Sequence, residues 1–334
     1  MDIQTNYLGL NLKNPIIVSS NRLSEKIENI KKMEQAGAAA IVMHSIFEEE
    51  IRYDDEFVDY YMNYGTEKFA ESLTYFPNID KQTGFLDNHL LHLEKSVKAV
   101  DIPIIGSLNA SSRESWFEYA VKMQDTGISA LELNLFTLPL KPASAESIEH
   151  EYINIVKDLK VALNIPLTIK LSPYFTSITD IALKLDKIAE VDGLVLFNRF
   201  YHPNFDIDSL EIKTDMQLSK PYEARLALRW IAILHDQIKA SIAGSTGIHT
   251  SDDVVKYILA GANATTCTSC LMQNGIEHIS KLIDGLEKWM KIKKYDSINE
   301  FCGLMSYKKI ADPVEFERAQ YMKALRNFKH DELY

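Results

Sequence analysis

The chain has 334 residues, 46% of them hydrophobic and 25% charged, and its net charge of −11 argues against nucleic acid or an anionic membrane as the main partner. The N-terminus MDIQTNYLGL has no basic segment before an apolar core, and no apolar run approaches the length of a membrane span, so we expect neither a secretory signal nor a membrane anchor. Three cysteines are too few for a disulfide framework and predict a reducing, cytoplasmic environment.

Short apolar runs alternate with longer segments of helical period along the chain. TNYLGLNLKNP predicts a small N-terminal hairpin, and PIIVSS (15–20) then predicts a strand that is followed by a helix over 24–37. Seven further strand–helix pairs follow, with the strands AAIVMHSIF, IPIIGSLN, ALELNLF, PLTIKLSP, GLVLFNR, ASIAGSTGI and ANATTCTSC. Eight such units without a break in composition predict an α/β protein whose parallel sheet closes into a (β/α)8 TIM barrel.

Two insertions and a C-terminal segment interrupt this alternation. Residues 48–83 and 200–219 follow strands, so we expect them to lie over the carboxyl-terminal mouth of the barrel. Residues 1–305 are predicted to form the barrel, and 306–334 a helical extension of the same domain. In that extension a helix is predicted to start at Asp312 and Pro313, and its apolar stripe consists of Val314, Tyr321, Leu325 and Phe328.

Polar residues at the carboxyl ends of barrel strands are candidates for function. They include Ser19, Ser20, His44, Ser45, Asn109, Asn134, Asn198 and Arg199. Lys170 is a further candidate, because a lysine in the middle of a strand is costly to bury unpaired. Two interpretations stay open. Lys170 pairs with Glu132 inside the barrel, or it presents a cation or a reactive amine to an anionic ligand.

The segment SIAGSTGIHTSDD (241–253) predicts a phosphate-binding loop before a helix. Its glycines allow the backbone to approach a ligand closely, and its hydroxyls can donate to a phosphate. The next unit ends in TCTSC, and barrel phosphate sites characteristically follow the seventh and eighth strands. The predicted phosphate ligands are therefore Gly244, Ser245, Thr246, Gly247, Thr268 and Ser269. Two ordinary polar turns are the alternative.

Cys267 and Cys270 form a C-x-x-C motif. No second cysteine pair and no histidine at metal-binding spacing lies nearby, so packing is preferred over a redox or metal role. We predict no metal site.

The strand ends, in this order, resemble the dihydroorotate dehydrogenase family, most closely its soluble cytosolic class. The resemblance spans residues 5–305 and rests on LGLNLKNPIIVSS, AGAAAIVMHS, ELNLFTLP, IPLTIKLSPYF and IAGSTGIHTSDDVVKYILAGANATTCTSCL. It implies a homodimeric barrel of pyrimidine biosynthesis that binds FMN. Such an enzyme moves a hydride between FMN and a dihydropyrimidine carbon, as in dihydroorotate, while a loop residue takes the adjacent proton.

The resemblance also implies roles for individual residues. Lys170 would lie near the pyrimidine edge of FMN and stabilise negative charge on the reduced ring. The FMN ring and its surroundings would be contacted by Ser19, Ser20, His44, Ser45, Asn109, Asn134 and Asn198. The substrate would be bound by Ser72, Asn134, Asn198 and Arg199, and Thr137 stands at the position of the catalytic base.

The departures from the family pattern fall in the substrate half. Thr137 stands where the cytosolic class has a cysteine and the membrane-bound class a serine. Pro139 stands where the family has an asparagine, and His44 stands where it has a lysine. An Asn-Ser motif of the family is missing and has at best a counterpart in Ser72, and Ser219–Lys220 replace a glycine pair. Because each lost hydrogen bond weakens substrate binding by about 0.5–1.5 kcal/mol, we expect an altered substrate site.

Two other functions are compatible with the residues. The first is a Schiff-base lyase or aldolase that uses Lys170 as its amine. The second is a flavin-binding barrel without catalytic activity. The electron acceptor stays open among fumarate, NAD through a partner subunit, and another oxidant. The cysteines form no iron–sulfur pattern, and no N-terminal membrane-docking segment supports a quinone.

Overall fold

A closed sheet of eight parallel strands organises the chain. The computed structural model describes residues 1–51, 84–109, 112–135, 142–200, 202–213, 215–317 and 319–327. In these ranges the strands are β1 (Thr5–Tyr7), β2 (Leu10–Leu12), β3 (Ile16–Val18), β4 (Ala40–Val42), β5 (Ile46–Phe47), β6 (Ile104–Asn109), β7 (Ala130–Asn134), β8 (Leu167–Leu171), β9 (Gly193–Leu196), β10 (Asn204–Asp206), β11 (Glu211–Lys213), β12 (Ser241–Ser245) and β13 (Ala264–Cys267). The barrel order is β3, β4, β6, β7, β8, β9, β12 and β13, and pairing of β4 with β6 closes it.

Helices cover the outside of the barrel. They are α1 (Ile27–Gln35), α2 (Phe85–Ala99), α3 (Arg113–Gln124), α4 (Ala145–Ala162), α5 (Ile178–Lys187), α6 (Ala224–Leu234), α7 (Ser251–Ala260), α8 (Ser269–Asn274), α9 (His278–Lys293) and α10 (Ala319–Asn327). The barrel strands are buried on both faces, which explains why they read as continuous apolar runs. The predicted (β/α)8 barrel is confirmed. No helix in the described ranges is both long enough and apolar enough to cross a bilayer.

The predicted N-terminal hairpin is confirmed as β1–β2, and it closes the amino-terminal end of the barrel. Tyr7 and Leu8 are buried there with inward residues of several strands. The Tyr7 hydroxyl lies 3.2 Å from Thr168 Oγ1. Gly193 makes room for this plug, because a Cβ at that position would stand 2.3 Å from Leu8 Cδ2.

The insertion 200–219 contributes to the opposite end of the barrel. It contains the antiparallel hairpin β10–β11, and residues 216–219 line the cleft described below. Most of the first insertion, residues 52–83, lies outside the described ranges.

Residues on both sides of the predicted boundary at 305 attach the chain to the barrel helices. The backbone N–H groups of Gly303, Met305 and Tyr307 donate to carbonyls of α6 and α7. Asp312 caps only a 3₁₀ turn over Pro313–Phe316, and the following helix begins at Ala319. The predicted stripe is exposed at Val314, Tyr321 and Leu325, and Phe328 lies outside the described residues. The boundary between 305 and 306 stays a prediction.

Candidate functional site

The carboxyl ends of the barrel strands open into a cleft of about 320 Å³. Because the strands are parallel and the sheet is closed, residues far apart in sequence meet at this one rim. The cleft is lined by predicted site residues from the ends of five barrel strands and the segments after them, namely Ser19, Ser20, Lys170, Asn198, Arg199, Ser245, Thr246, Gly247, Thr268 and Ser269. Its volume lies within the range of ordinary small-molecule sites.

Lys170 forms a buried ion pair at the floor of the cleft. Its Nζ lies 3.2 Å from Glu132 Oε1 and 3.3 Å from Ser19 Oγ. The two charged side chains are 8% and 1% exposed. In the register of β7 and β8, Glu132 lies beside Thr168, and Asn134 lies beside Lys170. The predicted pairing of Lys170 with Glu132 is therefore confirmed. Lys170 also lines the cleft, while its role toward an anionic ligand stays a prediction.

A chain of side-chain hydrogen bonds runs across the rim above the ion pair. Ser20 Oγ lies 3.1 Å from Ser45 Oγ, which lies 2.7 Å from Ser107 Oγ. Asn134 donates to Ser107 Oγ at 3.1 Å and accepts from Asn198 at 3.4 Å. Four strand ends and the loop after β9 thus hold one another in position. Ser107 lies within β6 and belongs to none of the family motifs, so its place in this hydrogen-bonded chain comes from the packing.

The loop after β12 is fixed from behind by Tyr257 of α7. The Tyr257 hydroxyl donates to the carbonyl oxygens of Ser245 and Thr246, at 2.8 and 2.7 Å. Its ring packs so closely on Gly244 that a Cβ there would stand 2.1 Å away. Thr246 and Gly247 both have positive φ, 77° and 73°. The predicted phosphate loop therefore has a backbone shape that depends on glycine and on a buried anchor.

Hydroxyl groups of two neighbouring loops converge on Gly247. Its N–H donates to Ser219 Oγ at 3.3 Å, and Ser219 Oγ lies 2.8 Å from Ser269 Oγ. A Cβ at Gly247 would stand 2.6 Å from the backbone nitrogen of Ala224. Short side chains that donate hydrogen bonds lie here around a glycine whose backbone a ligand can approach closely. This arrangement suits a phosphate group. In the sequence, Ser219 stood out only because the family has a glycine at this position. No local pattern predicted that its hydroxyl completes this cluster.

Other predicted site residues are not brought to the cleft by the described structure. The His44 ring packs against His89 and His92 of α2, with ring centroids 4.7 and 5.5 Å away. Asn109, at the end of β6, pairs with Phe47 and is not part of the cleft lining. Both assignments stay predictions. Thr137 and Ser72 lie outside the described residues.

Arg199 lines the cleft but is held by other groups. Its Nε lies 3.0 Å from Glu223 Oε1, and its Nη1 donates to the carbonyl oxygen of Gln217. Its charge is therefore partly neutralised where a substrate anion was expected. Its assignment to the substrate stays a prediction.

The C-x-x-C cysteines are buried next to the cleft. The hydrogen bond with Cys270 and burial raise the pKa of Cys267, while the same hydrogen bond lowers the pKa of Cys270. Across the described ranges, no cluster of three His, Cys, Asp or Glu side chains is arranged to hold a metal ion.

Acid is expected to weaken the fold through His89, which is buried and has no hydrogen-bond partner for either ring nitrogen in the described part of the chain. Burial, reinforced by His44 and His92, lowers the pKa of His89 from 6.5 to about 3. Between these values the unfolded chain takes up a proton that the folded chain does not. The free energy of unfolding should therefore fall by about 1.4 kcal/mol per pH unit below 6.5.

Urea unfolding at pH 7 and pH 5 measures this effect. Between these two pH values, the free energy of unfolding of His89→Leu should fall by about 2 kcal/mol less than that of the wild type. His150→Leu, which changes an exposed histidine of α4, serves as the control and should behave like the wild type. Equal acid losses in His89→Leu and the wild type would contradict the prediction.

Comparison with known proteins agrees with these motifs. The family model described as dihydroorotate dehydrogenase matches residues 65–290, more than half of the chain. The dihydroorotate dehydrogenase B (NAD(+)) catalytic subunit of Thermoplasma acidophilum is 29% identical over 319 residues, which cover 91% of this chain and 98% of that protein. The putative dihydroorotate dehydrogenase A (fumarate) of Aquifex aeolicus is 26% identical over 315 residues, covering 91% and 98%. The chain therefore belongs to the dihydroorotate dehydrogenase family.

Proposed function

We propose that the chain is an FMN-dependent oxidoreductase that acts on dihydroorotate or on another small anionic dihydro compound. The observation that carries the proposal is the meeting, in one cleft, of the buried cation Lys170 with the glycine and hydroxyl loop after β12. A flavin mononucleotide needs both features, a phosphate cradle and a positive charge near the ring. The family of the chain supports the same conclusion.

The cradle would be formed by two loops that the fold brings together. Gly247 N–H and the hydroxyls of Ser219 and Ser269 already converge. Thr268 is fixed beside them by its hydrogen bond to the Ser19 carbonyl oxygen, at 3.2 Å. These groups would exchange their mutual hydrogen bonds for bonds to phosphate oxygens. Charge-assisted bonds of this kind are stronger than neutral ones, which favours the exchange.

The ring would lie over the floor of the cleft. Bound FMN supplies the acceptor for a hydride. Lys170 would stabilise negative charge at this floor, and its orientation is set by Glu132 and Ser19. Asn198 would present its amide to the ring or the substrate, held by Asn134 at 3.4 Å. Because these groups are fixed by packing before any ligand binds, little reorganisation accompanies the reaction.

The ion pair argues against the Schiff-base alternative. A lysine amine attacks a carbonyl only as the neutral base. Here the Lys170 nitrogen lies 3.2 Å from a buried carboxylate, a setting that suits an ammonium ion. The non-catalytic alternative has no comparable observation for or against it and is separated by experiment.

The first test is an absorbance spectrum of the purified protein, reconstituted with FMN if needed, followed by anaerobic addition of dihydroorotate. Flavin bands that bleach would support the proposed activity. Bands that persist with dihydroorotate and with other small dihydro acids would favour the non-catalytic barrel. Failure to bind FMN at all would overturn the proposal. The Schiff-base alternative, with Lys170 as the amine, would then be tested next.

Thr137 is proposed as the base that takes the substrate proton, on the strength of its position in the family motif. Removing the hydroxyl in Thr137→Val should slow anaerobic flavin reduction by about 10²–10⁴-fold, the usual contribution of general base catalysis. Thr137→Cys, which restores the residue of the cytosolic class, should reduce faster than the wild type. FMN affinity should stay the same in both variants. Undiminished reduction in Thr137→Val would remove Thr137 from this role.

A homodimer is proposed from the family and from the hairpin β10–β11. Phe205 and Ile212 pair across this hairpin and are 69% and 62% exposed. An exposed apolar pair of this kind marks a surface that another chain would cover. In sedimentation experiments, the double change Phe205→Glu and Ile212→Glu should shift the protein from dimer to monomer. Val161→Glu, at an exposed apolar residue of α4, is the control. A monomeric wild type would refute the proposal.

The cytoplasmic location and the acceptor stay predictions. Several relatives are named as catalytic subunits for NAD(+) and one is named for fumarate, so both acceptors are candidates to test.

A further inference from the structure

Glu132 is a buried acid for which the family motifs suggested no role. It lies in the middle of β7, points into the barrel, and is 1% exposed. Lys170 is its only ion-pair partner among the described residues. Moving a carboxylate out of water into a protein interior is unfavourable, and a single ion pair often fails to repay the cost. An apolar residue at this position would also be compatible with a stable barrel. Stability therefore does not explain why an acid is present here.

The surroundings of Glu132 are closed on the side away from the cleft. Thr168 lies beside it in the register of β7 and β8, and the Tyr7 hydroxyl reaches Thr168 at 3.2 Å. Burial raises the pKa of Tyr7, and the negative charge of Glu132 adds to the rise, so Tyr7 stays a neutral phenol. Thr168 and Tyr7 are themselves 1% exposed. The charge of Glu132 is therefore not compensated from below.

Lys170, by contrast, faces both ways. Its Nζ touches Glu132 beneath it, and it also touches Ser19 and lines the cleft above. The pair is thus oriented, with the cation toward the cleft and the anion behind it. Because both charges sit in a poorly polarisable interior, the carboxylate subtracts substantially from the field that the cation projects into the cleft.

We propose that Glu132 is a positioning residue that holds the Lys170 ammonium at the floor of the cleft and moderates its charge. It thereby sets how strongly the protein prefers the more negative, reduced form of the cofactor over the oxidised form. The inference rests on the proposed function, because it assumes that FMN occupies this cleft. Glu132 touches neither cofactor nor substrate and acts only through Lys170.

The test compares the dissociation constants of oxidised FMN and of FMN reduced anaerobically with dithionite. Glu132→Gln keeps the shape and an oxygen acceptor for Lys170 but removes the negative charge. We expect the ratio of the dissociation constants of oxidised and reduced FMN to be at least tenfold larger in Glu132→Gln than in the wild type. For a two-electron couple, this change corresponds to about 30 mV in potential. Lys170→Met should change the ratio in the opposite direction.

Two further variants separate this role from a structural one. In the Lys170→Met background, Glu132→Gln should no longer change the ratio, because the lysine through which it acts is gone. Glu149→Gln breaks another partly buried pair, with Lys184 at 2.8 Å, on the helical layer outside the barrel. It should leave the ratio unchanged. If Glu132→Gln does not fold, Glu132→Asp, which draws the charge back by one methylene, must shift the ratio in the same direction.

The outcomes distinguish the two proposals. A wild type that binds FMN, with a Glu132→Gln ratio equal to its own, would overturn the role of Glu132 and leave the proposed function intact. A shift that persists without Lys170, or that also occurs in Glu149→Gln, would overturn it as well. A wild type that binds neither form of FMN would overturn both proposals before any variant is measured.

Discussion

Pairing between β4 and β6 closes the sheet, and the other features of the molecule depend on this closure. A closed parallel sheet has no free edge, so its strands are fully hydrogen-bonded and covered on both faces. Closure also creates an interior that must be filled and two ends that must be sealed or used. The hairpin β1–β2 seals one end with apolar side chains. The carboxyl ends of eight strands meet at the other end, where the cleft opens.

The interior changes from apolar to charged along the barrel axis. Near the hairpin it holds alanines and aliphatic side chains, then Tyr7 with Thr168, and then the pair of Glu132 with Lys170. Polar groups at this depth are tolerable because each finds a partner. Tyr7 of the hairpin reaches Thr168, and the register of β7 beside β8 brings Glu132 within reach of Lys170. A cation held in this way is positioned by the frame of the barrel and not by a loop, which suits a role that requires a fixed electric field.

The loop that we propose as the phosphate cradle is held in place by its packing. The loop after β12 is packed from behind, so that side chains at Gly244 or Gly247 would collide with Tyr257 or with the backbone of Ala224. Such positions change rarely without loss of the fold. The family departures at Thr137 and Pro139 follow β7 in the sequence, far along the chain from this packed loop and outside the described residues. Under the proposed function, a change of substrate would therefore not require a change in the phosphate cradle.

The sequence by itself determined the order of strands and helices, the barrel, the hairpin and the two loops at the cleft, because these follow from periodicity and from glycine placement. It also identified Lys170, since a charge in an apolar strand is visible locally.

Only the tertiary structure decided the partners. Lys170 meets Ser19 across 151 residues of chain, and Ser219 meets Ser269 across 50. His44 and Ser45 were predicted to share the site, yet the His44 ring packs on α2 while Ser45 bonds to Ser107. Val314, Tyr321 and Leu325 of the predicted stripe suggest a packed helix face but are exposed. Local patterns report which side chains are available, whereas strand register and helix packing determine which of them meet.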